Sequence, residues 1–462
     1  MPRGPRVQPR LDLAVPGLPR HHRRRGRRRR RLEDRRGAAE GAGAPVARRR
    51  RSRAAPRRHG RTARDRRLGP RADRGGAGVT TRRELLLSLA GAGGAAALCR
   101  GPFAGALLAQ DVPSRASEVK VEEGGLAPRP ARWFRKLPEE WVQCGLCPNE
   151  CRISEAERGT CGVRENRKGS LYTLVHSRPC SVALDPIEKK PFFHVLPGAS
   201  ALSLATPGCN LECKGCQNWE IAQARPEQVR TATLTPDEAA ELSRARGAPV
   251  IACTYTEPVV FGEYVHDIAV SARRKGVKTV VVSNGYVKEE PLRDLASVLA
   301  AYKVDLKGFR ADFYRSHTGG ELKHVLDTLR RLAKLGTWTE IVNLVIPTLN
   351  DSVAEVRDLA RFVRDEVGRE VPLHFTRFHP AYRLTNLPST PVATLERARD
   401  VALGEGLAFV YLGNVPGHPG ESTYCPGCRK LLLRRVGMAT VENRLVRGAC
   451  PDCGRKVPGI WS

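Results

Sequence analysis

Ala201-Leu202-Ser203-Leu204-Ala205 runs into Thr206-Pro207-Gly208-Cys209-Asn210-Leu211-Glu212-Cys213-Lys214-Gly215-Cys216-Gln217-Asn218-Trp219. An apolar run of strand length thus feeds a polar loop carrying C-x3-C-x2-C. Three thiolates this close along the chain leave a tetrahedral ion one ligand short. A [4Fe–4S] cluster is built on cysteine thiolates. Held by three of them, it keeps one iron free for a small molecule.

Strand and helix signals alternate downstream of this loop. Pro249–Tyr255, Val277–Ser283, Lys303–Leu306, Glu340–Ile346, Val371–Thr376 and Ala408–Leu412 read as strands. Val259–Arg274, Leu292–Ala300, Leu322–Leu335, Val353–Val367 and Leu395–Leu403 read as helices between them. Such alternation implies parallel strands with crossover helices. Six or seven units between residues 200 and 413 predict an α/β fold, a partial (β/α)6-type TIM barrel. Reactive groups of such folds gather on the loops that follow the strands. The triad is on one. Thr256-Glu257, Ser283-Asn284 and Asp305 with Lys307 are at successive later ends. Each pair also reads as an ordinary cap or turn.

Two more cysteine groups have chelating spacing, which makes disulfides the weaker reading. Cys425, Cys428, Cys450 and Cys453 form C-x2-C-x21-C-x2-C. Two such knuckles suit one structural zinc with no open position. Cys144, Cys147, Cys151 and Cys161 form C-x2-C-x3-C-x9-C. Its first pair resembles a knuckle, and the group suits either zinc or an auxiliary iron–sulfur cluster relaying electrons. Cys99, Cys180 and Cys253 remain outside the groups.

The triad in this setting resembles the signature of the radical S-adenosylmethionine (SAM) superfamily. Four further blocks narrow the likeness: Cys144 to Cys151 with Gly159 to Asn166, Asp185 to His194, Cys216 to Ile221, and Asn414 to His418. Together, from about Trp141 onward, they resemble the radical SAM enzyme of the AmmeMemoRadiSam system, a relative of pyruvate formate-lyase activating enzymes. The resemblance implies that the free iron chelates SAM. One electron then splits the sulfonium into methionine and a 5′-deoxyadenosyl radical, which abstracts hydrogen from a substrate. It implies that Thr256 and Glu257 contact the SAM amino group. It places Ser283, Asn284, Asp305 and Lys307 near the ribose or carboxylate. Its implied partners are a low-potential electron donor and Memo-like and AMMECR-like proteins. Gly215 departs from the family, where an aromatic residue often packs on the adenine. Trp219 or Tyr286 is expected to replace it. Phe378-His379-Pro380-Ala381-Tyr382 follows a late strand and either lines the substrate pocket or anchors a loop.

Charge is uneven along the 462 residues. Residues 1–78 hold 27 arginines, no lysine and six acids, and so carry +21 of the net +31. That stretch is disordered by composition, or is untranslated sequence upstream of a start at or near Val79. Thr80-Thr81-Arg82-Arg83 before the apolar stretch Leu85–Leu98 reads as a twin-arginine signal segment within residues 79–110. Cleavage after Ala106 or Ala109, or lipidation at Cys99, would follow from it. The protein is therefore expected to be cytoplasmic or exported by that route. Residues 111–132 read as a linker, 133–200 as a Cys-rich segment, 201–413 as the barrel and 414–462 as a zinc-ribbon-like segment. No run of apolar residues is long enough to span a bilayer. Two other functions compete with the leading one. The first is activation of a glycyl-radical partner enzyme. The second is a zinc-ribbon nucleic-acid binder, which leaves the triad unexplained, and no nucleic-acid partner is expected.

Overall fold

The computed structural model describes residues 121–123, 126 and 128–462. The Arg-rich extension and the signal segment lie outside the described residues.

Eight strands form one sheet, in chain order from edge to edge. They are β1 (Ser181–Pro186), β2 (Ser200–Ala205), β3 (Val250–Cys253), β4 (Lys278–Ser283), β5 (Ala301–Asp305), β6 (Trp338–Val345), β7 (Leu373–Arg377) and β8 (Val410–Gly413). From β2 to β8 every pairing is parallel, whereas β1 runs antiparallel to β2. Six helices make the crossovers: α1 (Pro236–Ala245), α2 (Gly262–Arg274), α3 (Glu289–Val298), α4 (Leu322–Leu335), α5 (Val353–Phe362) and α6 (Val392–Gly404). Among the described residues β1 and β8 do not pair, so the sheet stays open. The expected partial (β/α) arrangement is therefore present, with an antiparallel edge strand that the sequence reading did not contain.

Period-2 alternation puts the two faces of each strand to different uses. Ala201, Val250, Ala252, Val280 and Ala301 pack with Ile187, Phe192 and Val195. Leu202, Ile251, Val281 and Tyr302 belong to the core that includes Ile268 of α2, Leu292 of α3 and Leu329 of α4. The small residues on the first face make room for the segment after β1.

Local chemistry sets the helix ends. The Thr235 hydroxyl accepts from the Glu238 N–H at 3.3 Å, and the Glu238 carboxylate accepts from the Thr235 N–H at 2.7 Å. This capping box, with Pro236 at the first helical position, starts α1. The helix expected over Val259–Arg274 instead begins as a tight turn, Pro258–Phe261. Proline there offers no N–H, and the Glu257 carboxylate accepts from the Val259 N–H at 3.0 Å. The helix expected to reach Val367 widens into a π-turn at Val363–Gly368.

Two boundaries also move. Residues 111–132 are more than a linker: Val121–Glu123 pairs with Arg230–Ala232, and Arg129–Pro130 with Tyr172–Thr173. Residues 133–200 hold one small three-stranded sheet and two strands of a second, which Arg129–Pro130 completes, but β1 within them belongs to the large sheet. The C-terminal sheet of Thr423–Tyr424, Leu431–Val436 and Ala439–Asn443 packs Cys425, Leu432 and Leu433 onto Phe409, Tyr411 and Phe193.

Candidate functional site

The triad loop starts where β2 ends. Gly208 adopts φ +98°, and a Cβ there would lie 2.6 Å from the Cys161 carbonyl oxygen. Only glycine permits that approach. Beyond it, the Glu212 and Lys214 N–H groups donate to the Thr318 and His317 carbonyls at 2.8 and 3.0 Å. The loop is thus held by backbone on both flanks of Cys213.

Cys209, Cys213 and Cys216 are free thiols. Burial pushes all three up, Cys213 to about 11, with Lys307 pulling Cys213 and Cys216 the other way. Left alone, these thiols stay protonated near neutrality, and metal must displace their protons. Asn284 places its side-chain amide 3.8 Å from Cys209 Sγ and 2.8 Å from Asn210 Oδ1. Lys307 lies at the end of β5, 2.7 Å from Asp305.

The other expected site residues share this rim but not one role. Glu257 is 2 % exposed, and its carboxylate accepts from the Val259 N–H, the Ser283 hydroxyl and the Asn284 N–H. Burial raises it to about 7. Ser283 also accepts from the Tyr302 hydroxyl at 3.1 Å, and Thr256 donates to the Thr206 carbonyl at 2.7 Å. Thr256, Glu257 and Ser283 are therefore engaged with the protein itself. Asn284 reaches Cys209 by its side-chain amide, the Glu257 carboxylate acts on Cys209 by charge, and Lys307 and Asp305 act by charge on Cys213 and Cys216.

At Gly215 a Cβ would meet Phe378 at 3.3 Å and Leu384 at 3.4 Å. The aromatic surface beside the triad is therefore Phe378, the residue that follows β7. Trp219 stacks on Tyr382 at 5.0 Å, and Tyr286 meets His324 edge-on at 5.6 Å.

Sequence reasoning missed a cluster that joins the Asp185–His194 block to the rim. Asp185 bonds Lys189 at 2.7 Å, Lys190 at 2.5 Å, and the Tyr255 hydroxyl. Lys190 also donates to Tyr255 at 3.0 Å, and burial lowers it to about 8. Tyr255 holds the left-handed φ of +67°, and its carbonyl accepts from Asn218 at 2.8 Å, two residues past Cys216. Strain of that kind persists only where neighbours enforce it. The left-handed residue follows Thr254 directly, but sequence offers no signal for a bond spanning 70 residues.

A cavity of about 580 Å³ touches the triad loop at Gln217. Gln217, which follows Cys216, lines it with Arg377 and His379 beyond β7, Asn414 beyond β8, Glu188, and Met438 of the C-terminal sheet. It therefore lies at the open edge of the sheet. Of the motif expected at the pocket, His379 lines the cavity, Phe378 faces Gly215 and Tyr382 stacks on Trp219.

The C-terminal four have another geometry. Their sulfurs all lie within 4.8 Å of one another, with Cys425 to Cys453 at 3.5 Å and Cys428 to Cys450 at 3.6 Å. Thiolates around one tetrahedral ion at ≈ 2.3 Å stand ~3.8 Å apart. Against its burial, the N–H groups of Cys428 and Gly427 and the Cys453 thiol bring Cys425 down to about 7. No other group of three or more His, Cys, Asp or Glu donors among the described residues gathers this closely.

This chain belongs to the radical SAM superfamily, whose model matches residues 203–363, from β2 through α5. It is 46 % identical over 331 residues to the uncharacterized protein MJ0808 of Methanocaldococcus jannaschii, covering 71 % of this chain and 98 % of that one. To the pyruvate formate-lyase-activating enzyme of Clostridium pasteurianum it is 26 % identical over 172 residues, 34 % of this chain and 67 % of the relative. A crystal structure of a radical SAM methyltransferase from Sphaerobacter thermophilus aligns with 64 % of this chain and 81 % of its own, at 15 % identity and a TM-score of 0.38. No helix among the described residues is long and apolar enough to cross a membrane.

Proposed function

We propose that this chain holds a [4Fe–4S] cluster on Cys209, Cys213 and Cys216 and cleaves SAM there, acting on a substrate in the adjoining cavity. The observation that carries this reading is the set of three desolvated thiols on one loop at the end of β2, flanked by Asn284 and Lys307. The donor set fits the group. Three thiols leave one iron open, and the sulfurs lack the close gathering of a single-ion site. When bound, the cluster supplies one electron to the SAM sulfonium, yielding methionine and a hydrogen-abstracting 5′-deoxyadenosyl radical.

The remaining work falls to the chain. Glu257 organises the rim by fixing the turn at Val259 and the backbone of Asn284. Asn284 and Lys307 present N–H donors beside the thiols, and Asp305 holds Lys307 in place. Phe378 supplies the aromatic surface that Gly215 cannot. Lys189, Arg377 and His379 give the cavity basic groups, and Glu188 and Glu421 give it acidic ones. The buried sheet and its helices keep water from the radical. Cys425, Cys428, Cys450 and Cys453 hold one structural zinc ion that fixes the sheet carrying Met438 against the cavity.

The test is anaerobic: the chain is reconstituted with iron and sulfide, then given dithionite and SAM. 5′-Deoxyadenosine detected by mass spectrometry, and lost in Cys213→Ala, supports the reading. Its absence from a fully loaded parent overturns it.

A further inference from the structure

Cys144, Cys147, Cys151 and Cys161 have no part in the reaction as derived so far. They cluster around the sheet of Phe134–Lys136, Val142–Cys144 and Arg152–Ile153. The Cys144 N–H donates to the Cys151 carbonyl at 2.9 Å, which joins two of them at one edge. The Thr160 N–H, next to Cys161, donates to Cys151 Sγ at 3.5 Å. Yet the sulfurs do not gather as the C-terminal four do. One zinc would draw them to ~3.8 Å. A cage of four irons and four sulfides is wider and holds its thiolates further apart.

An unpartnered donor lies beside them. Arg164 is 1 % exposed, and its Nη atoms bond Glu263 at 2.9 Å and the Arg132 carbonyl at 2.6 Å. Its Nε has no partner, and its charge acts on Cys144 and Cys161. Buried donors are nearly always paired, and hydrogen bonds to sulfur tune iron–sulfur potentials.

The group also abuts the triad. The Cys161 carbonyl packs on Gly208, the neighbour of Cys209. Asn149, between Cys147 and Cys151, donates to the Asn210 carbonyl at 2.9 Å. Asn210 in turn accepts from Asn284, the residue that reaches Cys209 Sγ.

We propose that Cys144, Cys147, Cys151 and Cys161 hold a second [4Fe–4S] cluster that relays single electrons to the triad. The source is an external low-potential one-electron donor of the reduced flavodoxin or ferredoxin class. The donor is oxidised by one electron. The second site is reduced and then reoxidised by one, and the electron ends in the broken carbon–sulfur bond of SAM. No proton moves in the relay. The destination of the electron rests on the function proposed above; the metal content of the site does not.

The test uses the full chain, reconstituted anaerobically, with iron, sulfide and zinc measured per chain. A variant carrying Cys209→Ala, Cys213→Ala and Cys216→Ala is expected to keep about four irons and a dithionite-reducible EPR signal. Adding Cys144→Ser and Cys147→Ser is expected to abolish both and leave the C-terminal zinc. A triad variant that holds zinc in place of iron, two ions per chain, overturns the proposal. Arg164→Lys removes no ligand and is expected to shift the midpoint potential of the quartet signal while leaving that of the triad. An unshifted potential contradicts the placement of Arg164 at the cluster. A parent with only the quartet's iron leaves the second site standing and overturns the radical SAM reading instead.

Discussion

At the end of β2, three half-buried thiols sit apart on one loop. In the C-terminal sheet, four thiols meet so closely that Cys425 Sγ and Cys453 Sγ are 3.5 Å apart. The same side chain thus serves two ends. Four gathered sulfurs fill a tetrahedral ion and leave it nothing to react with. Three spread sulfurs would leave a larger group one open position, and Asn284 and Lys307 lie beside these thiols. Burial works differently as well. It raises Cys209, Cys213 and Cys216, whereas in the C-terminal four Cys425 is brought down and Cys428 goes up. Under the function proposed here, what separates the reactive cysteine group from the structural one is sulfur spacing and surroundings, not cysteine count.

The largest effect that would sharpen this contrast is on stability at the C-terminal four. Cys450→Ser removes a buried ligand from the cluster that docks on Phe409 and Tyr411. Unfolding by urea should show a loss of about 3 kcal/mol or more, with the iron of the triad retained. An unchanged midpoint would break the structural assignment. Glu257→Ala acts at the other region. It strips the acceptor from three buried donors, at about 3 kcal/mol. Iron retention at the triad should fall with it, because Asn284 loses its anchor.

A smaller, graded effect is expected from acid. His194 and His374 are lowered from 6.5 to about 4 and about 3, chiefly by burial. His194 bonds the Tyr411 hydroxyl of β8 at 2.6 Å and the Pro458 carbonyl of the C-terminal segment at 2.7 Å, while His374 of β7 bonds Glu340 of β6 at 2.8 Å. Below pH 6.5 the unfolded chain takes up protons that the folded chain refuses. Stability should therefore fall as pH drops from about 6.5 towards 4, by up to about 1.4 kcal/mol per pH unit for each imidazole. His374→Gln should roughly halve the slope of the urea midpoint against pH. The smallest effect belongs to Gly215→Ala. Its Cβ would press on Phe378 at 3.3 Å, for about 1 kcal/mol in stability and a measurable weakening of SAM binding by calorimetry.

Much of this was legible in the sequence. Helix α4 was expected at its observed bounds, because Val325, Leu329 and Leu332 repeat at helical spacing and pack inward. The crossover strands are short apolar runs covered on both faces, which reads clearly. Strand β1 did not read, because its Leu184 is 48 % exposed and Pro186 ends it, so only pairing with β2 makes it a strand. Helix α1 was missed although Thr235 and Glu238 spell its capping box. The triad and the C-terminal four were legible because metal chemistry constrains local spacing. Family resemblance assigns Glu257 to SAM; its three protein partners were not legible, because they come together only when β3 and β4 align. The Asp185, Lys190 and Tyr255 cluster was hidden for the same reason.

The most direct test of the central claim is EPR spectroscopy of the dithionite-reduced, reconstituted protein with and without SAM. The account predicts that SAM changes the triad's signal, and that the Cys144→Ser, Cys147→Ser variant still shows that change. A triad signal that is identical with and without SAM would contradict it.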